Sequence, residues 1–342
     1  LRLATIKIRG ITMISFSPIE FHKNKFKNIT PSLRYNGQAD IKKHRDVCIN
    51  KLGELLGLDK MEKCPSDFHI ISKEELDCGI HTHFAVQTEE GYYAHCHLLT
   101  PHSFEGKLPL CVCLQGHVSG AHLSMGIVKD PYDEVYLKED NVDFCVQAVK
   151  HGYIGLAIEQ RGFGENAGND KLIGTNCSHT AFSAILMGRT IIGERVWDVM
   201  RVLDCVLEIY GDILTMEQSI LMGMSGGGTA TYYAACFEKR FDVYLPGAAL
   251  CSFKDSIIEL CHCSCNYVPK IAEYFDMSDL AILIAPKKLI IQSATEDKYF
   301  PLKGAISEYS RIKDIYTMLN ASENCMQIIG EGPHSFYPDS AW

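Results

Sequence analysis

Hydrophobic positions along the chain change their spacing twice, and each change marks a new type of element. Over residues 39–56, Ile41, Val47, Cys48, Leu52, Leu55 and Leu56 recur at helical spacing and stop at Gly57, which predicts an amphipathic helix. From 68 to 99 the pattern shortens into extended pieces with turn residues at 77–79 and 89–91, the mark of an antiparallel lead-in. Beyond Pro109, short apolar runs alternate with longer helical segments. The runs 110–114, 153–158, 219–222, 243–250, 288–292 and 325–329 read as strands, and 142–151, 190–210, 226–238 and 302–319 as helices. Within 190–210, Ile192, Val196, Met200, Leu203, Val206 and Leu207 share one face, with Asp198 placed to pair Arg195 and Arg201 on the flank. The alternation predicts an α/β fold: a mostly parallel central sheet with helices on both faces, preceded by an N-terminal helical extension. The extension takes residues 1–65 and the main domain 66–342. Irregular stretches at 118–140, 161–183 and 252–278 each follow a strand, and the carboxyl ends of strands carry the ligand site in such sheets. They should wall and roof that site, with Tyr132, Tyr136, Tyr267 and Tyr274 as bulky contributors.

Composition narrows the function. A 342-residue chain with 46% hydrophobic residues buries about three quarters of its unfolded surface, so it needs neither disulfide nor metal to fold. Lys plus Arg number 33 against 42 Asp plus Glu, a net charge of −9, and no stretch gathers the basic residues. Nucleic acid and anionic membranes are therefore not expected partners. No run reaches about 18 consecutive apolar residues, so no membrane span is expected. Cys111 and Cys113, two of fifteen cysteines, would share one face of a strand, and the set reads as small buried hydrophobes kept reduced in the cytoplasm. At the start, Arg2, Lys7 and Arg9 precede an uncharged run that resembles a secretory leader but is interrupted by Thr12, Ser15, Ser17 and Pro18. Residues 1–12 are expected to be a leader or an expression remnant, with Met13 as the natural start.

The strongest chemical signal is the strand 220–222 running into Gly223-Met224-Ser225-Gly226-Gly227 and then directly into a helix. A G-x-S-x-G turn of this kind holds its serine at a strained apex with Oγ above the sheet. Glycines two residues either side let strand and helix close together, and the helix N-terminus points free N–H groups at a developing oxyanion. Gly-Lys-Ser/Thr is absent, as is a G-x-G-x-x-G with a suitably placed acid, so a phosphate loop is disfavoured. A serine nucleophile needs a base, and the base needs a carboxylate to orient it. The strand 288–292 empties into a loop bearing Glu296 and Asp297, and 325–329 leads into Gly330-Glu331-Gly332-Pro333-His334. The order Ser225, Asp297, His334 fits the nucleophile–acid–base order of that turn's fold, with Glu296 as the competing acid. Backbone N–H groups of His117 and Gly226 are the expected oxyanion donors, and the His117 ring is a competing base.

From Pro109 to His334 the chain resembles the α/β-hydrolase superfamily. More narrowly it is similar to bacterial acetyl xylan esterase-like and glucuronoyl esterase-like carbohydrate esterases and to dienelactone-hydrolase relatives. The segments that carry the narrower likeness are Leu114-Gln115-Gly116-His117, Glu159-Gln160-Arg161-Gly162-Phe163-Gly164, Gly188-Arg189-Thr190, Gly193-Glu194-Arg195-Val196-Trp197-Asp198, and 261–269. Gln115 departs from the His-Gly common in that loop, a change that spares backbone donors. The resemblance implies an α/β-hydrolase fold and a serine carboxylester hydrolase acting through an acyl-enzyme on short acyl esters, acetyl on a xylose-type sugar foremost. Its partner would be a small-molecule or oligosaccharide ester, with no cofactor. Glucuronoyl esterases often carry the acid after the preceding strand, which would point to Asp255. The alternatives are a glucuronoyl esterase, a prolyl-oligopeptidase-like peptidase, which here lacks a preceding propeller-like repeat, or a non-catalytic binder of the same fold.

Two clusters suggest metal chemistry instead. Cys261-x-Cys263-x-Cys265 with His262 lacks the two-to-four-residue spacing and second pair of a zinc site, so it reads as loop or packing cysteines. His81, His83, His95 and His97 alternate on two neighbouring strands without a nearby acid, and read as a solvated sheet face. No metal is expected.

Overall fold

The computed structural model describes residues 16–168 and 177–342. The expectation about residues 1–12 lies outside that range. Nine strands form one sheet in the order β1-β2-β3-β5-β4-β6-β7-β8-β9. β1 (Phe68–Leu76), β2 (Gly79–Glu89) and β3 (Tyr92–Thr100) are the antiparallel lead-in, and β3 also meets β5 (Ile154–Ile158) antiparallel. From there the sheet is parallel through β4 (Leu108–Leu114), β6 (Leu214–Met224), β7 (Val243–Gly247), β8 (Lys288–Ala294) and β9 (Cys325–Gly330). The α/β expectation holds, and element ends differ mainly by a residue or two, the usual fraying range.

Alternation along β4 shows how the sheet is covered. Leu110, Val112 and Leu114 enter one apolar core while Cys111 and Cys113 enter the other, their sulfurs 3.7 Å apart on a shared face. The larger core also takes the buried sides of α2 (Ile41–Leu56), α6 (Ile191–Tyr210) and α7 (Gly226–Phe237). α4 (Phe144–Lys150) covers the opposite face with Phe144, Cys145 and Ala148. The chain also forms α1 (Pro18–Phe26), α3 (Pro131–Val135) and α5 (Cys177–Leu186), the last two in stretches expected to be irregular. The short α8 (Ile271–Tyr274) and α9 (Ala281–Ile284) precede β8, and α10 (Leu302–Met318) joins it to β9. Arg45 on α2 donates to the carbonyls of Ile282 (2.8 Å) and Ala285 (2.5 Å), fastening α2 to the end of α9. No helix among the described residues is long and apolar enough to cross a membrane.

The flank of α6 differs from the helical pairing expected. Asp198 accepts both arms of Arg161 from the loop after β5, each at 2.8 Å, and Arg161 also reaches Glu89 at 2.8 Å. A planar guanidinium meets a carboxylate in two parallel bonds, and that fork outcompetes an i,i+3 contact. Arg201 turns to Asp204 instead, and Arg195 points inward.

Candidate active site

β6 ends at Met224, and Ser225 makes the turn into α7 with φ 56° and ψ −119°. A left-handed φ on a residue bearing a Cβ is strained and persists only where the surroundings fix it. Here they do: the Ser225 N–H donates to the Gly247 carbonyl (2.8 Å), and its own carbonyl accepts from Thr229 N–H (2.8 Å). A Cβ on Gly227 would collide with the Leu114 carbonyl, and one on Gly223 with the Gly227 carbonyl, so both glycines are required by close approach. The Ser225 hydroxyl makes no capping bond to the helix.

Asp297 and His334 follow β8 and β9 at the same sheet edge. The Asp297 carboxylate is buried, with Oδ1 accepting from the N–H groups of Tyr299 (2.8 Å) and Phe300 (2.9 Å). Its Oδ2 stands 2.7 Å from His334 Nδ1. Glu296 next to it is exposed, and Asp255 is exposed and engaged with Ser252 (2.8 Å). Of the three candidate acids, the chain brings Asp297 to the histidine. Ser225, Gly226, His117 and His334 together line a cavity of about 430 Å³.

The loop after β4 is stitched from several sides. Gln115 donates to Ser124 Oγ (2.6 Å) and the Val142 carbonyl (2.8 Å), and Gln160 donates to the Gln115 carbonyl. Phe163 packs edge-on to the His117 ring at 4.5 Å and carries the Arg195 guanidinium over its own ring at 4.0 Å. Glu159 is fully buried and accepts from Ala121 N–H (2.8 Å), with burial pushing its carboxyl up to about 7 against that bond. The Glu159–Gly164 motif therefore acts as scaffold for the residue 115–121 loop, and the close approach of residue 116 to Ser225 shows how tightly that loop abuts the Ser225 turn.

The cavity wall differs from the four tyrosines expected. Tyr136 lines it, whereas Tyr132 is 74% exposed, Tyr267 bonds the Ile257 carbonyl at the surface, and the Tyr274 ring lies under Lys51. Tyr299 and Phe300, from the acid's own loop, supply the other aromatic surface. Two further polar residues line the cavity: Asp140, not singled out from the sequence, whose carboxyl is raised by burial and lowered in part by His334, and His262, weighed there only with the cysteine cluster, whose Nε2 meets Ser256 Oγ and the Tyr299 carbonyl (both 2.9 Å). A polar side chain inside a stretch expected to roof the site was the available signal for both.

Both metal-suggestive clusters depart from their expected readings. The imidazoles of β2 and β3 are not a solvated face: His81 and His97 are buried, His97 lies 3.0 Å from Glu165, and His83 lies 3.1 Å from His95. The acid missing from the local sequence arrives on the loop after β5. Cys263 and Cys265, read as loop packing, converge with Cys177 and the His117 ring, their ligand atoms within 4.8 Å of one another. Cys261 is exposed and is not part of this cluster.

No protein-family model matches the chain. It is 24% identical over 285 residues to a Bacillus subtilis protein named "Putative hydrolase YtaP", covering 82% of this chain and 90% of that one. Among solved structures it is similar to a "putative acetyl xylan esterase" from Bacteroides fragilis, at TM-score 0.75 and 14% identity over 93% of this chain and 83% of the other. It is also similar to the methylesterase BT1017, at TM-score 0.69 and 20% identity over 94% of this chain and 65% of that one. The chain has the α/β fold of these esterase structures.

Proposed function

We propose that this protein is a serine carboxylester hydrolase that removes short acyl groups, acetyl foremost, from a sugar-type alcohol. The observation that carries the reading is a strained Ser225 and an Asp297-bound His334 opening into one cavity of about 430 Å³. With Nδ1–H donated to Asp297, the lone pair of His334 Nε2 is left to take the proton from Ser225 Oγ as Oγ attacks the ester carbon. The tetrahedral oxyanion is met by the backbone N–H groups of Gly226 and His117. His334 then returns the proton to the leaving alcohol, and water, deprotonated by the same ring, releases the acid from the acyl-serine. Asp297 remains ionised throughout and holds the tautomer.

A short acyl group is supported by the wall, where Tyr136, Phe300, Val118 and Val142 line the same cavity as Ser225. The name of one similar structure, a "putative acetyl xylan esterase", supports an ester of a carbohydrate. We also propose that residues 1–65 are an extension laid on a catalytic domain of 66–342, and that the fifteen free cysteines belong to a reducing, cytoplasmic setting. Turnover of acetylated sugars beside a series of p-nitrophenyl acyl esters tests the reading. Hydrolysis of neither would overturn it.

A further inference from the structure

We propose that His117, Cys177, Cys263 and Cys265 bind one zinc ion that pins the oxyanion loop to the roof of the cavity. The four residues come from three distant places: the loop after β4, the first residue of α5, and the 3₁₀ turn region around Ser264–Asn266. Three sulfurs and one imidazole form the donor set of closed structural zinc sites. A tetrahedral ion with bonds of about 2.3 Å to sulfur and about 2.0 Å to nitrogen sets edges of roughly 3.6–3.8 Å. Cys265 Sγ lies 3.6 Å from His117 Nε2, on such an edge. Cys177 Sγ and Cys263 Sγ are 3.1 Å apart, so they would spread by roughly half an ångström on binding.

A second observation points the same way. Arg195 is 1% exposed and forms no ion pair with a carboxylate among the described residues. It donates to the Arg161 carbonyl (2.8 and 3.1 Å) and to Cys177 Sγ (3.5 Å), while Nη1 has no partner. A buried guanidinium without a counter-charge is costly. Zinc with three thiolates and a neutral imidazole carries a net charge of −1, which the guanidinium neutralises. Phe163, Ala181 and Ile191 pack around Cys177 and Cys265 as an apolar sheath. Binding converts three thiols to thiolates and releases three protons to solvent, with no change of oxidation state.

Four protein ligands leave no open position, so the ion is structural and takes no part in the ester chemistry. Its consequence for the site is indirect. Nε2 ligation fixes the proton on His117 Nδ1 and removes this ring from competition as a general base. It also holds the His117 backbone, a proposed oxyanion donor, against the segment bearing Cys263 and Cys265.

The test is metal analysis of the tag-free full-length protein, purified under reducing conditions without chelator from zinc-supplied medium. About one zinc per chain is expected, falling to less than about a tenth of that in Cys265→Ser and Cys263→Ser, and kept in Cys261→Ser and His117→Cys. Should the serine variants fail to fold, cobalt replacement in the wild-type chain decides, through thiolate-to-cobalt charge-transfer absorption. Metal-free protein with freely titrating thiols would overturn the proposal. So would iron with inorganic sulfide in place of zinc, or a Cys177–Cys263 disulfide seen as a 2 Da loss of mass. Metal content is read without any ester assay, so this inference and the proposed activity fail separately.

Discussion

Replacing Ser225 by glycine should stabilise the protein relative to replacing it by alanine, although both variants lose the proposed nucleophile. Alanine keeps the Cβ that makes φ 56° and ψ −119° unfavourable, and glycine removes it. A residue held in such a region costs about 1–3 kcal/mol. Against this stand the larger unfolded-state freedom of glycine, about 0.5–1 kcal/mol, and the lost contact of a half-buried Cβ, about 0.4 kcal/mol. The net expectation is a glycine variant more stable than the alanine variant by about 1 kcal/mol. Neither substitution removes a helix cap, because the hydroxyl makes none. With an unfolding entropy of about 0.7 kcal/mol/K for 342 residues, the shift in Tm is only about 1–2 °C. Guanidinium unfolding read at constant slope is therefore the better assay. A glycine variant that unfolds at lower denaturant than the alanine variant would show that the turn stores no strain, and would remove the physical reason for reading it as a nucleophile elbow.

Three further outcomes are expected. Asp297→Asn should retain the fold and lose about 10⁴-fold in turnover, with Glu296→Gln and Asp255→Asn near wild type; a larger loss at either of those two would move the acid there. Initial rates on p-nitrophenyl esters should fall about tenfold or more from acetate to butyrate, with octanoate barely turned over; a flat or rising profile contradicts the short-acyl reading. The buried Glu159 carboxyl is raised to about 7 from its ordinary 4.5, so its contribution to stability is complete below pH 4.5 and is lost as pH rises through 7. Glu159→Gln keeps a neutral acceptor, and its stability relative to wild type should climb by up to about 3 kcal/mol between pH 4.5 and 8. A difference that stays flat across that window, measured by denaturant unfolding, rules the account of Glu159 out.

What was legible in the chain was what is written locally. Gly223-x-Ser225-x-Gly227 must be contiguous because one turn makes it, and Asp297 and His334 sit where strands end, which apolar runs announce. The parallel sheet followed from the same alternation. Long-range pairing left weaker traces. Asp198 has arginines three residues to each side, yet Arg161 takes it, because helical spacing says nothing of a loop that reaches in with a planar fork. Cys263 and Cys265 lack the spacing of a metal motif since their partners, Cys177 and His117, lie 86 and 146 residues upstream of Cys263. The histidines of β2 and β3 looked acid-free for the same reason, with Glu165 supplied from the loop after β5. Tyr132 and Tyr299 show the limit for cavity walls: a loop can be located from its flanking strands, but not the direction of each ring.

The most direct test of the central claim is covalent capture of the nucleophile. The protein, incubated with a serine-directed fluorophosphonate, should gain one adduct by intact mass, located by peptide mapping to Ser225, with loss of acetyl ester hydrolysis in proportion to labelling. Ser225→Ala should take no label and retain at most the residual activity supplied by binding and the oxyanion donors. An adduct on another residue, or wild-type hydrolysis by Ser225→Ala, would contradict the account.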